Sequence, residues 1–150
     1  MTKFDFKDGN GPVPAHKHPN GGGWVADTAT VADTAYVGPD AKVYGSAWVF
    51  DNARVFGNAR VFGYARVFDY ARVFDNAGVY ENAGVYENAG VYGDAKVYGN
   101  ARVFGNATVS GNATVYGDDA ICLAKIYDDK EIGGPEKDRI FINGKWYVEE

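Results

Sequence analysis

The stretch Asp51-Asn52-Ala53-Arg54-Val55-Phe56 is followed by Gly57-Asn58-Ala59-Arg60-Val61-Phe62 and by Gly63-Tyr64-Ala65-Arg66-Val67-Phe68, three copies of one hexad. The register extends far to both sides: from Val25 to Val115 a valine stands at every sixth position, 16 valine hexads in all. One supersecondary unit has been copied many times. Within a hexad, Ala53-Arg54-Val55 alternates as a short strand does, with Ala and Val on one side and Arg and Phe on the other. The residues that follow, such as Gly57-Asn58 or Asp69-Tyr70, have turn preferences. Each hexad therefore predicts a strand and a corner, and three successive hexads close one triangular coil. A helix is excluded, because period six does not hold Val on one face of a 3.6-residue turn, and Gly, Asn and Val are poor helix formers.

Composition bounds what this repeat can be. Of 150 residues 46% are hydrophobic and 23% charged, which is globular, so the repetition is structural and not low-complexity filler. A net charge of -5 argues against wrapping a nucleic-acid polymer, while local arginine clusters leave small anions open. Cys122 is the single cysteine, so neither an internal disulfide nor a cysteine zinc cluster is expected. Met1-Thr2-Lys3-Phe4-Asp5-Phe6 does not read as a leader, and no apolar run is long enough to span a bilayer. The expected location is cytoplasmic, with no membrane partner. The Asn-X-Thr triplets at Asn106 and Asn112 arise wherever Thr replaces Arg in the repeat.

The inward Ala and Val positions resemble those of the hexapeptide-repeat left-handed β-helix of bacterial acyltransferases, over Val25 to about Ile121. The repeats are also similar to the Asn-Ala-Arg-Val repeats of uncharacterised bacterial and phage-borne solenoids. The chain departs from the transferase pattern by placing Phe or Tyr after the aliphatic residue. The resemblance implies the left hand of the coil and, as in that family, a homotrimer. The expected fold is all-β: a single-stranded left-handed triangular β-helix, a β-solenoid with three hexads per coil, and a C-terminal β-hairpin cap. Three segments are expected: an N-terminal arm or cap over 1–23, the solenoid over 24–118, and a C-terminal strand and hairpin over 119–150. At about 4.8 Å between paired strands, slightly more than five coils give a prism roughly 25 Å long.

Positions three hexads apart stack in this scheme, so Val43, Val61, Val79, Val97 and Val115 form one column. Asn58 and Asn76 are placed for a corner ladder. Open ends would invite polymerisation, which assigns a capping role to both termini. The phase slips at Gly117-Asp118-Asp119-Ala120; beyond it, Ala120 to Tyr127 reads as a strand and Asp128 to Lys137 as a charged loop. Asn143-Gly144 is a type I′ hairpin signal between Arg139-Ile142 and Lys145-Val148.

Two outward features bear on function. From Tyr44 to Phe104, eleven consecutive hexads carry Phe or Tyr after the valine. This belt is explained by stacking of rings one coil apart or by burial between subunits. Then Gly78, Gly84 and Gly90 replace the outward basic residue in three successive hexads, one full turn. One coil away lie Arg60 and Lys96 for Gly78, Arg66 and Arg102 for Gly84, and Arg72 and Thr108 for Gly90, with Tyr80, Tyr86 and Tyr92 beside the floors. Arginine forks around a gap with an aromatic wall suit a planar anion such as a nucleotide, the guanidinium pairing the phosphate and the tyrosine stacking on the base. Alternatively, the glycines admit a second subunit's backbone or ring. The stacked carboxylates of Asp51, Asp69 and Glu87 call for arginines of a neighbouring chain or a cation.

The functions in play are a non-catalytic homo-oligomeric binding protein that holds or sequesters a small anionic ligand, an acyltransferase, and a passive scaffold. For catalysis the candidates are His16 and His18, the chain's two histidines, read as a surface loop pair; no coil contains a histidine and no loop interrupts the coils. No cofactor and no metal site are expected. Threonine ladders for ice binding are absent, since Thr108 and Thr114 fall on different faces.

Overall fold

The computed structural model describes residues 2–118, 120–122, 125–127, 131–132, 139–142 and 145–148. Among these there is no helix. Short strands stack in three sheets, one per face of a β-solenoid of about six coils. The first sheet contains Arg60–Val61, Gly78–Val79 and Lys96–Val97; the second Trp48–Val49, Arg66–Val67, Gly84–Val85 and Arg102–Phe104; the third Arg54–Val55, Arg72–Val73 and Gly90–Val91. Pairing is parallel and in register at a shift of three hexads, as in Arg66↔Gly84 and Val67↔Val85. Each outward residue donates its N–H to the alanine carbonyl one coil on, Trp48 to Ala65 at 2.9 Å and Arg66 to Ala83 at 2.9 Å.

The interior is as narrow as the repeat predicts. Every alanine and valine of the hexads from Ala47 to Val115 is fully buried, in one continuous core. Each valine contributes about 1.5–3 kcal/mol. The alanines set the width: a larger inward residue at the corner would meet its two counterparts from the other faces.

At the corners, the residue after the aromatic has positive φ, and a turn closes behind it, as where Ala65 N–H donates to the Phe62 carbonyl at 3.3 Å. Gly63 takes this position at φ 67°, but Asp51, Asp69, Asp75, Glu81 and Glu87 take it too, at φ 56–59°. Four of the five carboxylates offset the strain by accepting the corner N–H of the next coil: Asp51 from Asp69 at 3.3 Å, Asp69 from Glu87 at 3.2 Å, Asp75 from Gly93 at 3.2 Å and Glu81 from Gly99 at 3.1 Å. Of the acidic column expected to need an outside cation or arginine, Asp51 and Asp69 thus have partners in the chain's own backbone. Asp69→Ala keeps the left-handed strain and loses the bond, so it is expected to lower stability by about 1–2 kcal/mol. Asp69→Gly, which also relieves the strain, should stay closer to wild type in urea denaturation. The asparagine ladder is present, with Asn58 Nδ2 donating to Asn76 Oδ1 at 3.3 Å.

The aromatic belt resolves into three columns of stacked rings. Phe6, Tyr44, Phe62, Tyr80, Tyr98 and Tyr116 form the first, with centroids 4.8–5.4 Å apart. Phe50, Phe68, Tyr86 and Phe104 form the second, and Phe56, Phe74 and Tyr92 the third. Strand spacing sets ring spacing, and stacking leaves the rings half-buried within the chain.

The N-terminal segment adds two antiparallel strands to the first sheet: Lys3–Asp5 pairs with Pro12–Lys17, which pairs with Trp24–Ala26. Residues 18–23 then cross the end of the third sheet, where Val37 N–H donates to the Asn20 carbonyl and Gly23 N–H to the Val37 carbonyl, each at 3.0 Å.

At the other end, stacking continues past Gly117. Ala120–Cys122 pairs with Arg102–Phe104, Lys125–Ile126 with Thr108–Val109, and Glu131–Ile132 with Thr114–Val115. Ala120 to Tyr127 is therefore two strands in two sheets, and the expected loop contains a strand. The reason lies in Ile121, Ile126 and Ile132, which keep the inward columns of Val103, Val109 and Val115 although the spacing tightens to five between the first two. Arg139–Ile142 pairs antiparallel with Lys145–Val148, with Ile142 opposite Lys145; the Asn143-Gly144 turn lies outside the described residues.

Candidate functional site

The glycine turn occupies one coil, and its three notches lie on three different faces. Gly78 pairs with Arg60 and Lys96 in the first sheet, Gly84 with Arg66 and Arg102 in the second, and Gly90 with Arg72 and Thr108 in the third. The predicted neighbours are thus adjacent within each notch, and no two notches share a face. None of the three glycines has a positive φ, and a Cβ at Gly78 would meet nothing closer than the Tyr80 ring at 3.8 Å. Packing within the chain therefore does not require glycine here, and each leaves space outside the sheet. Over Gly78 that space is a groove of about 400 Å³, walled by Arg60 and Lys96, with Phe62, Tyr80, Asn58 and Asn76 at its sides.

Charge is segregated on this surface. Acids sit at corners, where Asp51, Asp69, Asp75 and Glu81 each accept one backbone N–H; bases stand on faces. Among the described residues the ion pairs are Lys7–Asp5 and His16–Asp27, so Arg60, Arg66, Arg72, Lys96 and Arg102 have no carboxylate partner there. Arg54 instead lies over the Tyr36 ring at 4.9 Å. Like charges meet directly in register at Lys42↔Arg60 and Arg54↔Arg72, an arrangement that is destabilising on the bare surface.

Stacking on the tyrosines is restricted by the columns themselves. Tyr80 lies between Phe62 and Tyr98, both at 4.9 Å, and Tyr86 between Phe68 and Phe104, so both faces of each ring are covered. Tyr92 has Phe74 on one face and, one coil on, Ser110 on the other. Its notch is the one with Thr108 in place of a second cation. No notch combines a cation pair with an open ring face, so a ligand over Gly78 meets the edge of Tyr80. The stacking of rings one coil apart, one of the two explanations of the belt, is what the columns show, and it is incompatible with a base stacked on the face of Tyr80 or Tyr86.

Burial pushes the Tyr80 phenol above its ordinary value of 10.0, and Tyr98 and Glu81 push it further. Burial likewise raises Tyr44, against the opposing charge and hydrogen bond of Arg60. Both groups keep their proton in the fold longer than in the unfolded chain. Their contribution to stability is complete below pH 10.0 and is lost as pH rises through the higher folded values. The denaturation midpoint should therefore fall above about pH 10, less steeply in Tyr44→Phe and Tyr80→Phe.

The two histidines part company. His18 is buried, 2% exposed, and its Nε2 lies 2.8 Å from the Ala35 carbonyl, which can only accept, so Nε2 carries the proton. It is a strut of the N-terminal cap and not a surface residue. His16 is exposed, with Nδ1 2.7 Å from Asp27 Oδ1. A second pocket, of about 350 Å³, lies beside Asp27 under the 7–11 loop, floored by Phe6, Ala26 and Tyr44. Among the described residues no group of three or more His, Cys, Asp or Glu is placed to hold a metal, and no helix is long and apolar enough to cross a membrane.

Fold and site define a β-solenoid repeat protein with cation-walled notches. A family model described as YdcK Beta solenoid repeat matches residues 53–69 and 95–110, two runs of consensus hexads on either side of the glycine turn. No curated protein and no solved structure matches the chain.

Proposed function

We propose that the protein is a non-catalytic, homo-oligomeric binding protein that holds a small planar anion, such as a nucleotide, in the notch over Gly78. One observation carries this reading: two basic side chains without carboxylate partners flank a strand residue whose side chain is missing for no internal reason. Arg60 pairs the phosphate in a fork, Lys96 adds a second charge from the opposite wall, and the neutral Tyr80 phenol is available as a donor. The planar part lies over the glycine floor, against the guanidinium and the edge of the Tyr80 ring.

Gly78→Arg tests it sharply. It restores the consensus residue at a site with room for a Cβ, so the fold should be kept while the notch is filled. Calorimetric titration with AMP, ADP and pyrophosphate should show binding to the wild type and at least about 100-fold weaker binding to Gly78→Arg and to Arg60→Ala/Lys96→Ala, each charged contact contributing about 1.5–3 kcal/mol. Equal binding by all three proteins rejects the site.

A second reading, acyl transfer, is favoured by the His16–Asp27 contact beside an apolar pocket. It requires turnover of an acyl-CoA that disappears in His16→Ala, and wild-type protein without turnover retires it.

A further inference from the structure

The second face carries three departures from the repeat that the ligand notch does not use. From residue 46 to 118 the second corner position is Ser, Asn or Asp in every hexad except two, Tyr64 and Tyr70. These flank a single strand, Arg66–Val67, and are 68% and 65% exposed. Directly above Arg66 in register stands Trp48, 52% exposed where Arg or Lys is usual. Of the four large hydrophobic side chains exposed among the described residues, three therefore surround Arg66; the fourth is Tyr127.

The next strand of the same face is the opposite in kind. Gly84 is buried and lacks a side chain, a Cβ there would meet nothing closer than the Tyr86 ring at 3.8 Å, and the two corner residues that flank its strand are Glu81 and Glu87. An arginine between two tyrosines is thus followed, one coil on, by a hole between two glutamates. Along the midline the face reads Trp48, Arg66, Gly84, Arg102.

We propose that this face binds a second copy of the chain about a two-fold axis that passes between the Arg66 and Gly84 strands, with the two prisms antiparallel. That axis reverses the midline order. Arg66 of each copy enters the other's Gly84 hole and meets its glutamates, Arg102 meets the other's Trp48 in a cation–π contact, and no arginine faces another. Tyr64 and Tyr70 close the sides of the contact. Trp, Tyr and Arg are the residue types that dominate binding energy at interfaces, and rings of about 150–250 Å² each supply much of the ~800 Å² that one partner contributes. A polyanion does not fit as well, because Glu81, Glu87 and Asp69 border the face and the chain's net charge is -5. The glycine turn thereby serves two ends, a ligand groove at Gly78 and an arginine socket at Gly84.

Sedimentation velocity at micromolar concentration tests the contact. The wild type should be a dimer of the 16.2 kDa chain. Tyr64→Asn/Tyr70→Asn, which returns the repeat's own corner residue, should be a folded monomer. Arg66→Glu and Glu87→Arg should each weaken the dimer about 100-fold or more, by setting like charges in both sockets. Mixed together, they should form a heterodimer, since each socket then holds opposite charges. A wild-type monomer, a trimer, or a dimer that these changes leave intact overturns the proposal.

Discussion

Val73→Asp is expected to abolish cooperative folding. Val73 is fully buried in the column Val55, Val73, Val91 of the third sheet, and the residues around it in the core are alanine and valine. A carboxylate there has no partner, and a group that stays neutral still leaves two oxygens without hydrogen bonds. The penalty of about 4–5 kcal/mol, added to the lost valine contact, approaches the 5–15 kcal/mol that holds a domain of this size together. The architecture sharpens the effect. Each coil touches only its neighbours, so a disrupted middle coil separates the two halves and no distant contact compensates. Far-UV circular dichroism against urea should show a sloping, non-cooperative loss, with Val73→Thr between that and wild type. A midpoint within 1 M of wild type, at about 1–3 kcal/mol per M, contradicts this account of the core.

Phe6→Ala should have the next largest effect, at one end of the molecule. Phe6 is 1% exposed and begins the first aromatic column, 4.8 Å from Tyr44 and edge-on to Phe4, which itself stacks on Trp24 at 4.7 Å. Truncating a buried phenylalanine removes about 3–5 kcal/mol, more than a two-stranded addition to a sheet edge can spare. The N-terminal pair of strands should detach and bare the edge of Trp24–Ala26. The amides of Ala15 and Asp27, which donate to the Thr2 and Pro14 carbonyls at 3.0 and 2.9 Å, should then exchange at least about 100-fold faster, in line with that energy. Light scattering should rise with concentration as bared edges pair end to end. Unchanged protection at both amides would show that the stacked rings do not hold the cap.

Both predictions rest on features of unequal legibility. The valine period alone leads to Val73 and to its burial, because a period of six allows a single inward set once the strands are short. The cap is only half legible. Phe4-Asp5-Phe6 suggests a strand, yet nothing in the letters says that Phe6 joins a column whose other members begin at Tyr44. His18 reads as a surface residue because its partner, the Ala35 carbonyl, comes from backbone on another coil. Likewise the C-terminal isoleucines, spaced unevenly, carry the stacking further than a strict period indicates.

For the candidate site, the sequence by itself determined which residues are neighbours. With three hexads per coil and a parallel register, Arg60, Gly78 and Lys96 must lie on consecutive strands of one face, and so must Arg66, Gly84 and Arg102. It also determined the class of fold, since a short strand and a corner in every hexad bring every sixth valine to the inside of a coil. What only the tertiary structure decided is what each group has left to offer. Asp51, Asp69, Asp75 and Glu81 each give one carboxylate oxygen to a backbone N–H, the faces of Tyr80 and Tyr86 are taken by neighbouring rings, and the arginines of the notches are left without a carboxylate. The physical reason is that a repeat specifies spacing along the chain, whereas the availability of a carboxylate, a ring face or a guanidinium depends on where its partners end up in three dimensions.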